Sequence, residues 1–394
     1  MSHIFSMSEI CTSANGLTRY IGAIVTLVIA GASVPGFVLA QTVHQDLQET
    51  VRAEVVSVER EYERDIRGTD ATATVQELLI RVLEGERAGE IVELTNDLVM
   101  LAPGDRLIVN RLEFIDGTEI FAFKDAERRA HLLAIFVLLV GLVLWFAGKK
   151  GVRALVSLGL SILAIFLVLV PALLAGYNPA WVSLGVSVIV LALILFLTHG
   201  INPRSIIAFA GTVSAIFITC AIAAYWVTAM RLTGFGHDAS VFLNFQTGGA
   251  LDFSGLLLGS MIIGLLGVLD DVSITQASVV QELRAANNTL GFKELYQRAI
   301  RVGRDHVGSL INTLALAYVG AALPIVLLFS SGGSDLLMSF NQEIVAAEIL
   351  RIIVGSIGLI LTVPITTALA AWHFKDKDPV GGVASACGHT HHEQ

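Results

Sequence analysis

Long apolar runs alternate with short polar connections along most of this chain. Several runs reach the roughly 18 residues that a helix needs to cross a bilayer, and together they predict about eight spans. The predicted spans lie near Tyr20–Ala40, His131–Ala147, Leu155–Ala175, Ala180–Thr198, Ser205–Met230, Phe253–Leu269, Gly308–Phe329 and Ile349–His373. This hydrophobic pattern predicts an α-helical polytopic membrane protein.

A segment of different character, residues 41–130, separates the first two predicted spans. It is rich in charged residues and contains short, often alternating runs such as VRAEVVSVERE and DRLIVNRLEF. The sequences APGD and DGTE lie between or after these runs as turns. Alternation over short runs is typical of half-buried strands. The segment therefore predicts a small β-rich domain of about five or six strands, a barrel or sandwich of OB-like or SH3-like shape.

Basic residues collect in every second connection between the predicted spans. The sequence GKKGVR contributes Lys149, Lys150 and Arg153, and residues 272–307 contribute five more bases. The alternate connections, such as AGYNPA, carry few or no bases. Because Lys and Arg are enriched in cytoplasmic loops, we expect both termini in the cytoplasm and residues 41–130 on the exterior.

The first predicted span has two interpretations. Arg19 precedes the apolar run, and Val38-x-Ala40 approximates the small-residue rule of a signal-peptide cleavage site. The run is long for a signal peptide, which favours an uncleaved helix, and both interpretations leave residues 41–130 outside. The predicted domains are residues 1–40 (N-terminal segment and first helix, or signal peptide), 41–130 (exterior β-rich domain), 131–374 (seven-helix bundle) and 375–394 (cytoplasmic tail).

Composition supports a membrane protein and narrows its chemistry. Of 394 residues, 54% are hydrophobic and 15% are charged, whereas a soluble domain carries roughly a quarter charged residues. The sequence contains no Walker A motif, no G-x-S-x-G and no HExxH. We therefore expect no enzymatic activity, no cofactor and no nucleic-acid partner. The expected partners are the lipid bilayer, an unknown small solute or ion, and an envelope partner for residues 41–130.

In the sequence GLLGVLDDVSITQASVVQEL, two adjacent acids, Asp270 and Asp271, lie at the edge of an apolar run. On a helix, Asp271 belongs to a continuous stripe of small, hydroxyl and acidic residues spaced by three and four. The stripe comprises Ser260, Gly264, Gly267, Asp271, Thr275, Ser278 and Glu282. A carboxylate at bilayer depth costs about 2.5–3.5 kcal/mol on insertion scales, and it normally faces a bundle interior, a cation or a water cavity. Asp270 and Asp271 are therefore candidate proton- or ion-coupling sites.

Further residues are candidates for support of the acid pair. Thr275 and Gln276 supply polar groups nearby, and Gly264 and Gly267 permit close helix packing or movement. In the later spans, Asn312 is a candidate lining residue, or equally an interhelical hydrogen-bonding group. Glu348 and Arg351 have the i,i+3 spacing of an ion pair. This pair is either a candidate gate of the transport route or an interfacial salt bridge.

The acids also have a purely structural interpretation. They end the apolar run, so this interpretation places them in cytoplasmic water, as a membrane boundary or as a cap of the helix that follows. The continuity of the stripe favours a functional face instead, since a solvated helix end needs no aligned glycines and hydroxyls.

Three motifs carry a resemblance to a known family. GVLDDVSITQAS, YQRAIRVGRDHVGSLINTLALAYVGAALP and EILRIIVGSIGLILTVPITT together resemble the YibE/F family of bacterial membrane proteins. The resemblance implies a first anchor, an exterior domain and then a helical bundle in the bacterial cytoplasmic membrane, and transport is the activity usually suggested for the family. The acid-bearing helix is also similar to the central helices of RND exporters and Sec accessory subunits. By position their acids match Asp270 and Asp271, but this chain lacks a second such unit and an evident intramembrane lysine.

Two other sites are weaker candidates. The C-terminal ASACGHTHHEQ holds His389, His391 and His392, which are residue types that bind zinc or copper. A disordered tail with chance histidines is the favoured interpretation. An intramembrane aspartyl protease is not favoured, because such enzymes need two aspartates on different helices, and Asp270 and Asp271 are neighbours on one.

The sequence therefore predicts an ion- or proton-coupled transporter or exporter of a small solute that uses the acid pair. The alternative function is a non-transporting membrane assembly factor or envelope sensor that acts through its exterior domain.

Overall fold

The computed structural model describes residues 47–66, 68, 71–113, 119–236, 238–331 and 336–376. These residues form two compact units that join between Gly148 and Lys149. The predicted first span, Tyr20–Ala40, and the predicted histidine tail lie outside the described residues.

The first unit contains an N-terminal antiparallel sheet of five strands. The strands are β1 (Leu47–Asp65), β2 (Thr72–Val82), β3 (Ile91–Asn96), β4 (Arg106–Glu113) and β5 (Glu119–Ala126). Their order is β3-β2-β1-β4-β5, and the sheet curls into a half-barrel. The prediction of a β-rich segment is confirmed, but the predicted barrel or sandwich is corrected to a single curled sheet with β3 and β5 at its edges.

The long strand β1 lies at the centre of the sheet and pairs on both sides. Ala53 lies opposite Val82 on β2 and opposite Leu107 on β4. Alternate residues of these strands are buried, so that Val51, Ala53 and Val55 of β1 share one apolar face. This is the period-two pattern expected of strands with one face packed on a core.

The helices that follow contain the candidate membrane spans. In chain order they are α1 (Arg129–Ala164), a π-helical segment (Ile165–Leu169), α2 (Val170–Leu174), α3 (Pro179–His199), α4 (Pro203–Ala229), α5 (Asp238–Gln246), α6 (Phe253–Ala286), α7 (Phe292–Ala321), α8 (Leu323–Ser331), α9 (Leu336–Phe340) and α10 (Glu343–Phe374). The local sequence explains where several of these helices begin. The side chains of Asn178, Asn202 and Asp252 cap α3, α4 and α6, and proline opens both α3 and α4, where its missing N–H has no partner to lose.

Five of these helical segments are long and apolar enough to cross a membrane, or six if the bent pair α7 and α8 forms one span. The predicted number, about eight, is therefore reduced to five or six among the described residues. One candidate, Arg129–Leu174, is 46 residues long and covers two predicted spans, His131–Ala147 and Leu155–Ala175. Its backbone leaves the helical conformation at Gly148, which has φ 53 and ψ −131, instead of forming a separate turn at GKKGVR.

Helix α6 is the central element of the second unit. It packs against α3, α4, α7 and α10. It extends beyond the end of the predicted apolar span at Leu269, to Ala286, and so contains the whole predicted stripe from Ser260 to Glu282. The acid pair therefore lies within a continuous helix of 34 residues rather than at the end of one.

Candidate functional site

Two glycines fix the position of α6 beside α3. A Cβ atom on Gly255 would lie 3.2 Å from Cδ of Pro179, and one on Gly259 would lie 2.9 Å from Cβ of Ser183. Both contacts have the same offset of 76 residues, so the two helices run side by side in the same direction. The backbones approach this closely only because glycine lacks a side chain.

This register sets the depth of the acids. Continued along both helices, the same offset brings His199, the last residue of α3, to the level of Thr275 of α6. Asp271 comes four residues earlier, or about 6 Å at the helical rise of 1.5 Å per residue. It is also close enough to His199 to interact with it electrostatically. Because α3 has 21 residues, about the thickness of a bilayer core, the acid pair lies within the length of that span.

The structure separates the environments of the two acids. Asp270 is buried, with 8% of its surface exposed, whereas Asp271 is exposed. Neither acid forms an ion pair with a lysine, arginine or histidine within the described residues. The helix directs adjacent side chains about 100° apart, so a neighbouring pair divides between a buried and an open face.

The buried face of α6 carries a cluster of hydroxyl and amide groups. Thr212 of α4 donates to Oγ of Ser273 over 2.5 Å, and Thr366 of α10 lies 3.5 Å from the same oxygen. The hydroxyl oxygen of Thr367 lies 3.2 Å from Oε1 of Gln276. All five side chains are buried. Gln276, predicted as a supporting residue, therefore belongs to a network that ties α6 to α4 and α10.

The stripe predicted on α6 faces outward. Ser260, Gly264, Gly267, Asp271, Thr275 and Glu282 are exposed, and Ser278 is half-buried. A Cβ atom on Gly264 would lie 2.8 Å from the Tyr318 hydroxyl of α7, whereas one on Gly267 would meet open space. A larger residue at position 264 would therefore meet the Tyr318 hydroxyl, whereas the position of Gly267 is open within the described part of the chain.

The other end of the stripe meets an ion pair. Nη1 of Arg351 donates to both carboxylate oxygens of Glu348 over 2.8 and 3.1 Å, which is the predicted i,i+3 pair. The guanidinium lies 5.8 Å from the ring centroid of Tyr318, and its Nη2 lies 3.4 Å from Oγ of Ser260. The exposed face of α6 therefore carries Asp271 toward one end and meets the Glu348–Arg351 ion pair at Ser260, toward the other.

Among the described residues, the predicted lining residue Asn312 forms no hydrogen bond with either acid. Asn312 is exposed on α7. Pro364 lies inside α10, which continues as one helix to Phe374. The hydroxyls of Thr362 and Thr367 donate to the Gly358 and Val363 carbonyls of the same helix.

The polar network was only partly visible in the sequence. Gln276 was predicted as a supporting residue, but its position beside hydroxyl groups of α4 and α10, such as Thr212, was not. The available signal was a hydroxyl residue inside an apolar run, which marks many lipid-embedded helices without indicating a partner. Within the described residues, no group of three or more His, Cys, Asp or Glu side chains is arranged to hold a metal ion.

The N-terminal sheet has a separate charged cluster around Arg111, whose side chain is buried. Its guanidinium lies 3.2 Å from Glu49 and Glu86, 3.4 Å from Glu113 and 2.9 Å from Glu119. The hydrogen bond from Arg111 holds the pKa of Glu119 below its ordinary value of 4.5. The hydrogen bonds that Arg111 donates to Glu119 and then to Glu86 raise the pKa of Arg111 further above its ordinary value.

Comparison with known proteins gave one match. A family model described as YibE/F-like protein matches residues 135–376, which are 242 of the 394 residues. The matched region begins within α1, includes all of α6 and ends just after α10. No curated protein and no solved structure matches the chain.

Proposed function

The chain belongs to the YibE/F-like family and is a multi-pass integral membrane protein, and from that premise we propose that it is a secondary transporter. In this proposal, a proton or cation gradient drives a small solute across the membrane. The family membership inferred from the three sequence motifs is confirmed by the family match.

The observation that carries this proposal is the environment of Asp270. Its carboxyl group is buried in a helix bundle, inside the length of a neighbouring span, with no cationic partner among the described residues. Ionisable groups at such depth are costly and are commonly retained as sites of proton or ion exchange. Asp270 is therefore the primary coupling site, and the adjacent Asp271, on the open face, is the group that exchanges with water.

The outward face of α6 supplies a route from the acids toward the opposite end of the bundle. Ser260 and Asp271 are eleven residues apart, or about 16 Å along the helix at 1.5 Å per residue. Gly264 and Gly267 lie between them, and Arg351 contacts Ser260. We assign Glu348 and Arg351 to gating at that end, and Asn312 to lining the route from α7.

The proposal also includes the orientation of the chain in the membrane. The distribution of Lys and Arg supports cytoplasmic termini in a bacterial cytoplasmic membrane, with the N-terminal sheet on the exterior. The acid pair then lies toward the cytoplasmic side and the Glu348–Arg351 pair toward the exterior.

Proton flux into liposomes tests the proposal. Purified wild-type protein is reconstituted, a pH gradient is imposed, and an internal pH dye reports the flux. We expect Asp270→Asn to abolish the flux and Asp271→Asn to reduce it, because neither amide can release a proton. Glu294→Gln is the matched control, since Glu294 is an exposed acid of α7 outside the stripe and should be dispensable. A wild-type flux that Asp270→Asn leaves intact would contradict the proposal.

A second candidate is a non-transporting assembly factor or envelope sensor. The observation that favours it is an open groove of about 970 Å³ in the N-terminal sheet, lined by residues of both edge strands, among them Val92, Thr95, Phe121 and Phe123. Unpaired edge strands are ready to pair with an extended segment of another protein. This candidate predicts no flux above that of empty liposomes in the experiment above.

A further inference from the structure

The loop between β3 and β4, residues 97–105, carries three consecutive exposed apolar side chains. Leu98, Val99 and Met100 are 71%, 38% and 57% exposed. Single exposed apolar residues are normal on a protein surface, but a run of three that is exposed together indicates a contact with another protein or with a membrane. This run is therefore a candidate interaction surface.

Two buried amide side chains hold the β3–β4 loop in a fixed conformation. Asn96 donates from Nδ2 to the Val99 carbonyl over 2.5 Å, and its Oδ1 accepts from the Leu98 N–H over 3.1 Å. Gln76 of β2 bonds to both backbone groups of Leu101 in the same way, over 2.9 and 3.2 Å. The loop therefore presents its apolar side chains outward in a fixed arrangement, and little conformational entropy is lost when a partner covers them.

The strand register places this loop at the end of the sheet from which the chain enters α1. Strands β3 and β5 run in the same direction, because four successive antiparallel pairings separate them. Arg87, just before β3, lies 3.0 Å from Glu119 at the start of β5, so the ends of both strands lie at the opposite end of the sheet. On the other side of the loop, the Arg106 carbonyl of β4 accepts from the N–H of Glu127, directly after β5. Helix α1 begins two residues later, at Arg129.

The start of α1 marks the level of the membrane surface. Helix α1 opens a candidate membrane span, and Arg128 and Arg129 are exposed at its beginning. Basic side chains at the ends of spans usually reach the lipid headgroups. The turn at the other end of β3, between β2 and β3, instead carries the charged residues Glu84, Glu86 and Arg87. The loop beside the membrane is thus apolar, and the turn farther from it is charged.

We propose that the β3–β4 loop inserts its three apolar side chains into the bilayer that α1 crosses, and so attaches the sheet to the membrane surface at a second point. Lipid fits this surface because the loop is continuous with the membrane boundary at α1. The acid of the loop next to the apolar run, Asp97, is also compensated, since Arg64 lies 2.5 Å from its carboxylate. This attachment requires no ion gradient and stands apart from the proposed transport function.

Spin labels on the full chain in liposomes test the depth of the loop. A nitroxide is attached to Val99→Cys, in a chain whose three natural cysteines are replaced, and the protein is reconstituted in phosphatidylcholine–phosphatidylglycerol liposomes. Oxygen dissolves in lipid and a nickel chelate stays in water, so the collision rates of the label with each report its depth. We expect the label to lie about 5–10 Å inside the headgroup–acyl boundary, accessible to oxygen and shielded from nickel. Ala88→Cys is the matched control, since Ala88 is exposed in the β2–β3 turn and should be accessible to the chelate.

Polar substitutions in the loop distinguish insertion from proximity to the membrane. In the double variant Leu98→Ser, Met100→Ser, we expect the label at position 99 to become accessible to nickel, because serine adds almost no apolar surface to bury. Both side chains are exposed, so the sheet should stay folded. A label that nickel already reaches without these substitutions would overturn the proposal, as would shielding from nickel that the double variant leaves unchanged. A label shielded from both reagents would also overturn it, because protein rather than lipid would then cover the loop.

Discussion

At the scale of single residues, Arg111 shows how a buried charge is accommodated in the N-terminal sheet. Its guanidinium is surrounded by four carboxylates, and Arg87 adds a second cation 3.0 Å from Glu119. A guanidinium presents five donors in a fixed fork, so it can bind several carboxylates at once. The cluster holds the loop residue Glu86 against strands β1, β4 and β5.

The lowered pKa of Glu119 makes this cluster sensitive to acid. Because the pKa of Glu119 is lower in the folded than in the unfolded chain, its stabilising contribution is complete above about pH 4.5. The contribution is lost as the pH falls from 4.5 through the folded-state pKa. We expect hydrogen-exchange protection of β4 and β5 to fall in this window, and the fall to shrink in Glu119→Gln. Glu93→Gln, at an exposed position of β3, is the control, and an equal fall in both variants would contradict the prediction.

Burial also separates Asp270 from Asp271 more sharply than sequence position does. Adjacent residues of a helix point in different directions, so the side chain of Asp270 is buried in the bundle whereas that of Asp271 is exposed. A pair that acted only as a solvated helix boundary would need neither side chain inside the bundle. The burial of Asp270 is therefore the feature that distinguishes the coupling interpretation from the boundary interpretation.

At the scale of elements, the contact between α3 and α6 sets the depth of the acids. It depends on the absence of a side chain at Gly259, where a Cβ atom would lie 2.9 Å from Cβ of Ser183. That distance is shorter than real Cβ contacts, so a larger residue must separate the two helices or shift their register. The same helix offers a contrast at Gly267, where a Cβ atom meets open space.

Substitution of these two glycines tests the packing. We expect Gly259→Ala to lower the free energy of unfolding by about 1–3 kcal/mol, the usual cost of overpacking a tight contact. Gly267→Ala should be neutral or stabilising by up to about 1 kcal/mol, because alanine favours a helix over glycine. Thermal unfolding of both variants in detergent provides the comparison. Equal losses of stability would show that α3 and α6 do not meet through Gly259.

The boundaries of several elements could be predicted from local sequence. The spans Ala180–Thr198 and Ser205–Met230 agree with α3 and α4 to within about two residues, as expected where Asn-Pro sequences supply a cap and a first helical residue. The predicted apolar span of α6 ended at Leu269, although the predicted stripe continued along the helix to Glu282. Beyond that residue the helix is amphipathic, so an apolar window no longer detects it although the helix continues to Ala286.

At the scale of the whole molecule, the buried polar network could not be predicted from the hydropathy of the membrane spans. In water-soluble helices an apolar stripe marks the buried face, but lipid-facing positions are equally apolar, so hydropathy does not distinguish the faces of a span. The stripe through Gly264 and Asp271 was visible as a pattern, yet it faces outward, and the buried face carries Ser273 and Gln276. Only the packing of α4 and α10 around α6 identifies the partners Thr212 and Thr366.

The orientation of the whole molecule is open to a direct test. If basic residues determine it, Thr95 of the N-terminal sheet and Glu282 of α6 lie on opposite sides of the membrane. Single cysteines at these exposed positions, in a chain whose three natural cysteines are replaced, would be treated with a membrane-impermeant maleimide. We expect intact cells to label Thr95→Cys fully and Glu282→Cys only after permeabilisation. Labelling of Glu282→Cys in intact cells would reverse the orientation and place the acid pair toward the exterior, so that a proton entering from outside would reach Asp271 before the Glu348–Arg351 pair.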